Sequence, residues 1–195
     1  MSTIQFYEDN AEDFFERTVQ IDMSASRERF TALLPVGGRV LDAGCGSGRD
    51  ALAFHQAGFV VTAIEAAPAL AVRAREHTGL PVQVMTFQEL TWHEAFEGIW
   101  ACASLLHVPR DELADAVTRL RDALTPGGVI YMSFKHGVES REPNGRLFTD
   151  LDEAGAEALL ATVGGLELLQ MTVEDSRKSH AVGERWLAMT CRKST

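Results

Sequence analysis

A three-layer α/β fold on a mostly parallel sheet is what this sequence predicts, and three observations predict it. Short apolar, β-branched runs alternate with amphipathic stretches of about 10–15 residues, the rhythm of βαβ units whose parallel strands need helical crossovers. The first of these runs ends in glycines at 44, 46 and 48 and passes directly into a helical pattern. The last two runs lie too close together for a crossover, so they pair antiparallel and close the sheet as a C-terminal edge hairpin. Seven strands are expected, the seventh antiparallel.

Each element has its own signal. Two helical patterns, residues 9–19 and 24–34, precede the first strand and are placed to cover the carboxyl ends of the strands, where open α/β sheets hold ligands. Residues 39–43 (Arg-Val-Leu-Asp-Ala) read as a short buried strand closed by the glycine cluster. Residues 50–57 carry helical spacing and stop at Gly58, and the β-branched run 59–64 is the second strand. Helix 68–78 opens on a proline and is stopped by Gly79 and Pro81. Strands follow at 82–85 and 98–103, then an amphipathic helix over 110–124 ended by Pro126-Gly127-Gly128, then a fifth strand at 129–134. A helix from 152 to 163 leads to the two closing strands, 166–173 and 184–191, with a polar turn over 175–183 between them.

Composition narrows the function classes. The chain has 195 residues, 46 % apolar and 24 % charged. That is ordinary globular composition and a length suited to a single domain, with residues 1–35 as covering helices and 39–195 as the core. A net charge of −10 argues against a nucleic-acid backbone or an anionic membrane surface as partner. No apolar stretch approaches a bilayer span, and the N-terminus shows neither a basic nor an apolar leader region, so a cytoplasmic protein is expected. The cysteines, Cys45, Cys102 and Cys191, are odd in number and include no Cys-x-x-Cys pair. They read as reduced thiols packed as small hydrophobes, and no metal site is expected.

The sharpest feature is Asp42-Ala43-Gly44-Cys45-Gly46-Ser47-Gly48-Arg49-Asp50. Glycines between a strand and a helix let the backbone turn tightly and approach a ligand. A dinucleotide-binding turn spaces them Gly-x-Gly-x-x-Gly, but here Arg49 occupies the third glycine's place. Asp42 would also repel a pyrophosphate and suits a cationic ligand. The bland alternatives are a helix cap for Asp42 and a solvated helix-entry charge for Glu65.

This Asp-x-Gly-x-Gly-x-Gly run resembles the first motif of class I S-adenosylmethionine-dependent methyltransferases. Further along, Glu65, 17 residues beyond Gly48, matches that family's acidic ribose ligand, with Ala66 beside it. Phe87-Gln88 stands where such enzymes hold the adenine, although Phe87 is as readily a packing aromatic. The run Ala101-Cys102-Ala103-Ser104-Leu105-Leu106-His107 resembles the fourth-strand motif beside the cofactor's methionine part, and Leu124-Thr125-Pro126-Gly127-Gly128 is a further family hallmark. The N-terminal stretch from Phe6 through Thr18 resembles the family's lid helix. The resemblance implies a Rossmann-like core and S-adenosylmethionine as cofactor. It implies binding by Asp42, Gly44, Cys45, Gly46, Gly48, Glu65, Ala66, Phe87, Gln88, Cys102 and Ala103. It also implies closure by Tyr7 and Thr18, against the alternative that this helix only covers apolar surface.

The acceptor side is less determined. The fourth-strand motif is not the Asn/Asp-Pro-Pro-Tyr/Phe box of nucleobase or glutamine methylation, and no Pro-Cys nucleophile is present. A small molecule is the expected partner, acted on by a monomer or homodimer. His107 is the candidate general base, because an imidazole titrates near neutrality. The loop after the fifth strand gathers Lys135, His136, Arg141 and Arg146 in an acidic chain, so Lys135, His136 and Arg146 are candidate substrate ligands. The alternative is that these cations pair with Glu139, Glu142 and Asp150. Two rival functions remain at this stage: a non-catalytic cofactor-binding sensor or scaffold, and a nicotinamide-dependent oxidoreductase.

Overall fold

A computed structural model describes residues 2–176 and 183–195. Helices α1 (Thr3–Asp9), α2 (Ala11–Thr18) and α3 (Ser24–Thr31) come first. The core then runs β1 (Arg39–Ala43), α4 (Arg49–Gln56), β2 (Val60–Glu65), α5 (Pro68–Thr78), β3 (Val82–Val84), β4 (Phe96–Ala101), α6 (Leu113–Ala123) and β5 (Leu124–Lys135). After a small hairpin, β6 (Ser140–Arg141) and β7 (Phe148–Thr149), the chain ends with α7 (Glu153–Val163), β8 (Leu166–Asp175) and β9 (Arg185–Lys193).

The seven-stranded sheet has the order β3-β2-β1-β4-β5-β9-β8. Strands β1 to β5 pair in parallel, β9 runs antiparallel to β5, and β8 pairs antiparallel with β9. The expected architecture, closing hairpin included, is therefore the observed one. Part of the polar turn between the closing strands, residues 177–182, lies outside the described residues.

Strand periodicity explains the layering. Alternate residues of β1 point to opposite faces. Val40 packs with Trp100 and Tyr131 against Phe30 of α3 and Phe54 of α4. Its neighbours Leu41 and Ala43 pack with Ile99, Ala101, Ile130 and Met132 against α6 and α7. Because β1 is flanked by β2 on one side and β4 on the other, the crossovers diverge from it. A crevice therefore opens at the carboxyl ends of β1 and β4, the switch point of the sheet.

Four local expectations needed correction. The helix expected over 9–19 is α2, Ala11–Thr18, and a separate helix, α1, precedes it: Asn10 leaves helical geometry (φ −122°, ψ 22°) and its side-chain amide donates to the Phe6 carbonyl at 2.8 Å. That bond closes α1 and turns α2 across the cavity. The helix expected from 110 begins at Leu113, after a turn in which the Glu112 amide donates to the Pro109 carbonyl. The fourth strand is 96–101 rather than 98–103, since Ala103 adopts φ +54° and cannot continue it. The fifth strand starts at Leu124, because the Pro-Gly-Gly segment is carried as a register shift opposite Phe96 and Gly98 rather than as a stop. The β6–β7 hairpin had no signal of its own, as two-residue strands carry no readable period.

Candidate active site

A cavity of about 780 Å³ runs along the carboxyl ends of the strands, roofed by α1 and α2. Its size is that of a site for a small organic ligand. Two halves follow from strand order. The loops leaving β1, β2 and β3 form one half, and the loops leaving β4 and β5, together with β9, form the other.

In the first half the glycine turn is fixed by close packing. Gly44 has φ +79°, and a Cβ there would lie 2.5 Å from the Ser104 Cβ. Gly48 has φ +77°, and its Cβ would lie 2.6 Å from Thr78. These two glycines are required by the protein's own approach of β4 and α5, independent of any ligand. Gly44, Cys45 and Gly46 line the cavity, whereas Gly48 does not; it starts α4 and packs on α5. Sequence spacing gave all of them one role, and the structure divides it.

Glu65, at the end of β2, is buried and accepts the amides of Gly46 and Ala67, each at 3.0 Å. Burial raises its carboxyl despite these bonds. Each oxygen holds one partner, so lone pairs remain on the cavity side for hydroxyl donors. Asp42, at the end of β1, is buried too, and its Oδ2 has no hydrogen-bond partner. Burial, and then the neighbouring Asp50, push its carboxyl well above the usual range. An orphaned buried acceptor is costly, and a ligand donor or positive charge would relieve it.

Ala66, Phe87 and Gln88 complete this half. Phe87 and Gln88 sit on one helical turn, Phe87–Glu89, closed by reciprocal bonds between Thr86 and Glu89. The Gln88 amide is turned to Glu112 at 2.8 Å, which leaves Phe87 as the apolar surface there.

Between the halves stands a buried ion network that composition could not reveal. Asp50 accepts Arg27 at 2.6 Å, Arg49 at 2.5 Å and the Trp100 indole at 3.0 Å. Burial alone would raise the Asp50 carboxyl, but the two arginines hold it below its ordinary value. Arg49 also lines the cavity and donates to the Thr18 carbonyl at 3.3 Å, tying α2 to the glycine turn. Thr18 itself lines the cavity, but its hydroxyl is spent on the Phe14 carbonyl. In sequence, the Arg49-Asp50 pair served only to exclude a dinucleotide turn; its partner Arg27 lies too far away to be read.

In the second half Cys102, Ala103 and His107 reach the cavity. The strained Ala103 is held by its amide donating to the Ser133 hydroxyl at 2.8 Å, and Ser104 anchors to the Ala43 carbonyl at 2.6 Å. The Cys102 thiol is pushed up to about 12 by burial, so it is no nucleophile at neutral pH.

His107 is not a free base. Its Nδ1 lies 2.7 Å from the Leu147 carbonyl, which only an N–H can satisfy, so Nε2 accepts the Tyr7 hydroxyl at 2.8 Å. Burial pushes its pKa down to about 4, with Arg146 and Lys135 acting in the same direction, while burial raises Tyr7. The group left facing the cavity is the Tyr7 oxygen.

The cationic loop resolves into separate fates. Lys135 lines the cavity and pairs with Glu184; Arg141 pairs with Asp150 at 2.9 Å. His136 does not reach the cavity and meets Glu153 of α7 at 2.9 Å instead. Arg146 lines the cavity between two aromatic rings, 4.5 Å from the Phe6 centroid and 5.1 Å from that of Phe148. Trp186 and Tyr131 also contribute wall, Tyr131 while stacked on Trp100 at 4.0 Å.

Comparison with known proteins places this geometry. Residues 40–128 match the family model described as a methyltransferase domain. A ubiquinone biosynthesis O-methyltransferase of Xanthomonas campestris pv. campestris is 34 % identical over 122 residues, 59 % of this chain and 48 % of the relative. The chain thus spans about half the length of that relative. Among solved structures, a Burkholderia thailandensis 1,6-didemethyltoxoflavin-N1-methyltransferase with bound 1,6-didemethyltoxoflavin and S-adenosylhomocysteine superposes with a TM-score of 0.78 at 24 % identity. That alignment covers 98 % of this chain and 85 % of the other. The [4+2]-cyclase SpnF superposes with a TM-score of 0.74 at 19 % identity, covering 100 % and 97 %. The fold is shared; the chemistry has to be argued from the site.

Proposed function

We infer that this chain, whose residues 40–128 match the methyltransferase-domain family model, is a class I S-adenosylmethionine-dependent methyltransferase that transfers a methyl group from S-adenosylmethionine to a small molecule. One observation carries the reading. Two buried carboxylates, Asp42 and Glu65, end adjacent strands beside the glycine turn, one with an unbonded oxygen and the other with lone pairs to spare. Such a donor-seeking, carboxyl-lined corner fits a cofactor that carries ribose hydroxyls and a positive charge able to draw Asp42 into its ionised form, and opposes a pyrophosphate.

The residues divide the work. Glu65 would take the ribose hydroxyls, Phe87 would offer an apolar face to the base, and Asp42 would offset positive charge. Tyr7 and the α2 segment around Thr18 would cover the methionine end, and Cys102 and Ala103 would border it. When bound, the cofactor supplies an electrophilic methyl on sulfur. The protein then has to hold an acceptor atom in line with it in a space closed to water. Tyr7 is the polar group best placed to orient an acceptor: its oxygen can accept a hydrogen bond from the acceptor while its own O–H is donated to His107 Nε2. The low basicity of the buried imidazole makes His107 chiefly a positioning residue for Tyr7.

The whole chain acts as one unit in this reading, helices 1–35 covering the core 39–195. The net charge of −10 supports a small molecule rather than a nucleic acid as acceptor. The three unpaired cysteines support a reducing compartment such as the cytoplasm. A monomer or homodimer suffices, because both halves of the cavity are built from one chain. Calorimetric titration with S-adenosylhomocysteine tests the cofactor assignment, and a metabolite-library screen for S-adenosylhomocysteine release tests the activity. Saturable binding and release with at least one acceptor are expected; no binding at millimolar ligand would overturn the assignment.

A further inference from the structure

Arg146 stands apart from the other cations at the cavity. Arg17 pairs with Asp13 at 2.8 Å, Arg49 with Asp50 at 2.5 Å, and Lys135 with Glu184. Arg146 has no carboxylate within ion-pair distance among the described residues, although Glu142 lines the same cavity. Its Nε is buried without a hydrogen-bond acceptor. The guanidinium lies by the rings of Phe6, on the roof, and Phe148, on β7, within hydrogen-bonding reach of the Tyr7 hydroxyl; the two rings hold it without giving Nε an acceptor. A partly desolvated, always-charged fork with an unmet N–H is an incomplete site, and a planar anion completes it best.

Its place in the sheet says which ligand would complete it. Arg146 lies on the segment after β5, in the half built by β4, β5 and β9, whereas the glycine turn, Glu65 and Phe87 follow β1, β2 and β3. Phe148 is in contact with the guanidinium, and Trp186 and Tyr131 add aromatic surface elsewhere along the same cavity. We propose that Arg146 is the anion-binding determinant of the acceptor subsite, and that the acceptor is a planar or aromatic molecule bearing a carboxylate. The carboxylate accepts from the Arg146 fork while the ring lies on the aromatic wall. A single anionic group is admitted by local pairing even though the chain as a whole is acidic. The inference rests on the methyltransferase reading only for the word acceptor; the anion site itself stands on geometry.

Benzoate and its neutral counterpart benzamide are suitable probes, titrated by calorimetry or Trp186 fluorescence into the full chain saturated with S-adenosylhomocysteine. Benzoate should bind at least about tenfold more tightly than benzamide, as a charge-assisted bond to a desolvated guanidinium warrants. Arg146→Met should abolish that preference and Arg146→Lys should restore part of it, with circular dichroism confirming that both fold. S-Adenosylhomocysteine affinity should be unchanged in Arg146→Met. Equal affinity for the two probes in the parent chain, absence of binding by both, or a preference that survives in Arg146→Met overturns the proposal. A tenfold loss of S-adenosylhomocysteine affinity in Arg146→Met also overturns it, by assigning the cation to the cofactor. If S-adenosylhomocysteine fails to bind the parent chain, the cofactor reading falls. The benzoate comparison, repeated without it, still decides the anion site.

Discussion

Glu65 illustrates how one side chain joins structure to function. Its two oxygens hold the amides of Gly46 and Ala67, so it shapes the glycine turn as well as facing the cavity. Glu65→Ala is expected to weaken S-adenosylhomocysteine binding by about 1–3 kcal/mol, the usual range for lost charge-assisted bonds. It should also lower the melting temperature, because two buried N–H groups lose their acceptor. Glu65→Gln keeps one acceptor oxygen and should recover part of the stability but less of the affinity; calorimetry and thermal melts on both variants separate the two roles. His107 gives a second expectation. With its pKa pushed down to about 4, it is neutral throughout the physiological range, so a kcat–pH profile should show no His107 inflection near 6.5. His107→Gln should lower kcat, by misplacing Tyr7, by a larger factor than it weakens S-adenosylhomocysteine binding, because Tyr7 also covers the methionine end of the cofactor. An intact kcat would confine His107 to a structural role.

The turn between β1 and α4 is where packing of elements decides more than ligand contact. Gly44 lies against Ser104, which itself donates to the Ala43 carbonyl, so the ends of β1 and β4 are locked together across the crevice. Gly44→Ala puts a methyl 2.5 Å from the Ser104 Cβ at a positive φ. Strain of this kind and local overpacking together cost about 2–4 kcal/mol. The expected result is a melting temperature lower by several degrees, with cofactor affinity reduced because the crevice is displaced. A melt indistinguishable from the parent would show that the turn can relax. The roof is an element of a different kind. Helix α1 is tied to the loop between β6 and β7 by the Leu147 amide donating to Thr3 and by the Tyr7–His107–Leu147 chain, so it closes onto the second half of the cavity rather than merely covering apolar surface.

For the molecule as a whole, burial of His107 makes stability depend on pH. Its folded pKa of about 4 lies below the 6.5 of an unperturbed imidazole, so between these values the unfolded chain binds a proton that the folded chain refuses. Stability therefore falls as pH is lowered from 6.5 to 4, by about 3 kcal/mol at most from this residue, and is insensitive to it outside that window. Asp42, raised by burial, contributes the opposite slope above its ordinary carboxylate value. Comparing parent with His107→Gln cancels that background. Urea denaturation at pH 7 and pH 4.5 should show a smaller acid loss in the variant; equal losses would place the acid sensitivity elsewhere.

Sequence alone determined the sheet, the strand directions, the closing hairpin and the gathering of the glycine turn and Glu65 at one edge of the sheet. These are carried by local quantities: the period of apolar residues, crossover length, and glycines at a strand end. Most predicted site residues reach the cavity because strand ends are brought to one edge of the sheet by topology. Tertiary structure decided the rest. It turned Gly48 and His136 away, set Tyr7 between His107 and the cavity, and assembled Arg27, Arg49 and Asp50 around the Trp100 indole. It also paired Lys135 with Glu184 and Arg141 with Asp150, leaving Arg146 between two rings. The physical reason is the same in each case. A backbone pattern is written in neighbouring residues, whereas the charge state and freedom of a side chain depend on partners that only folding brings within a few ångströms.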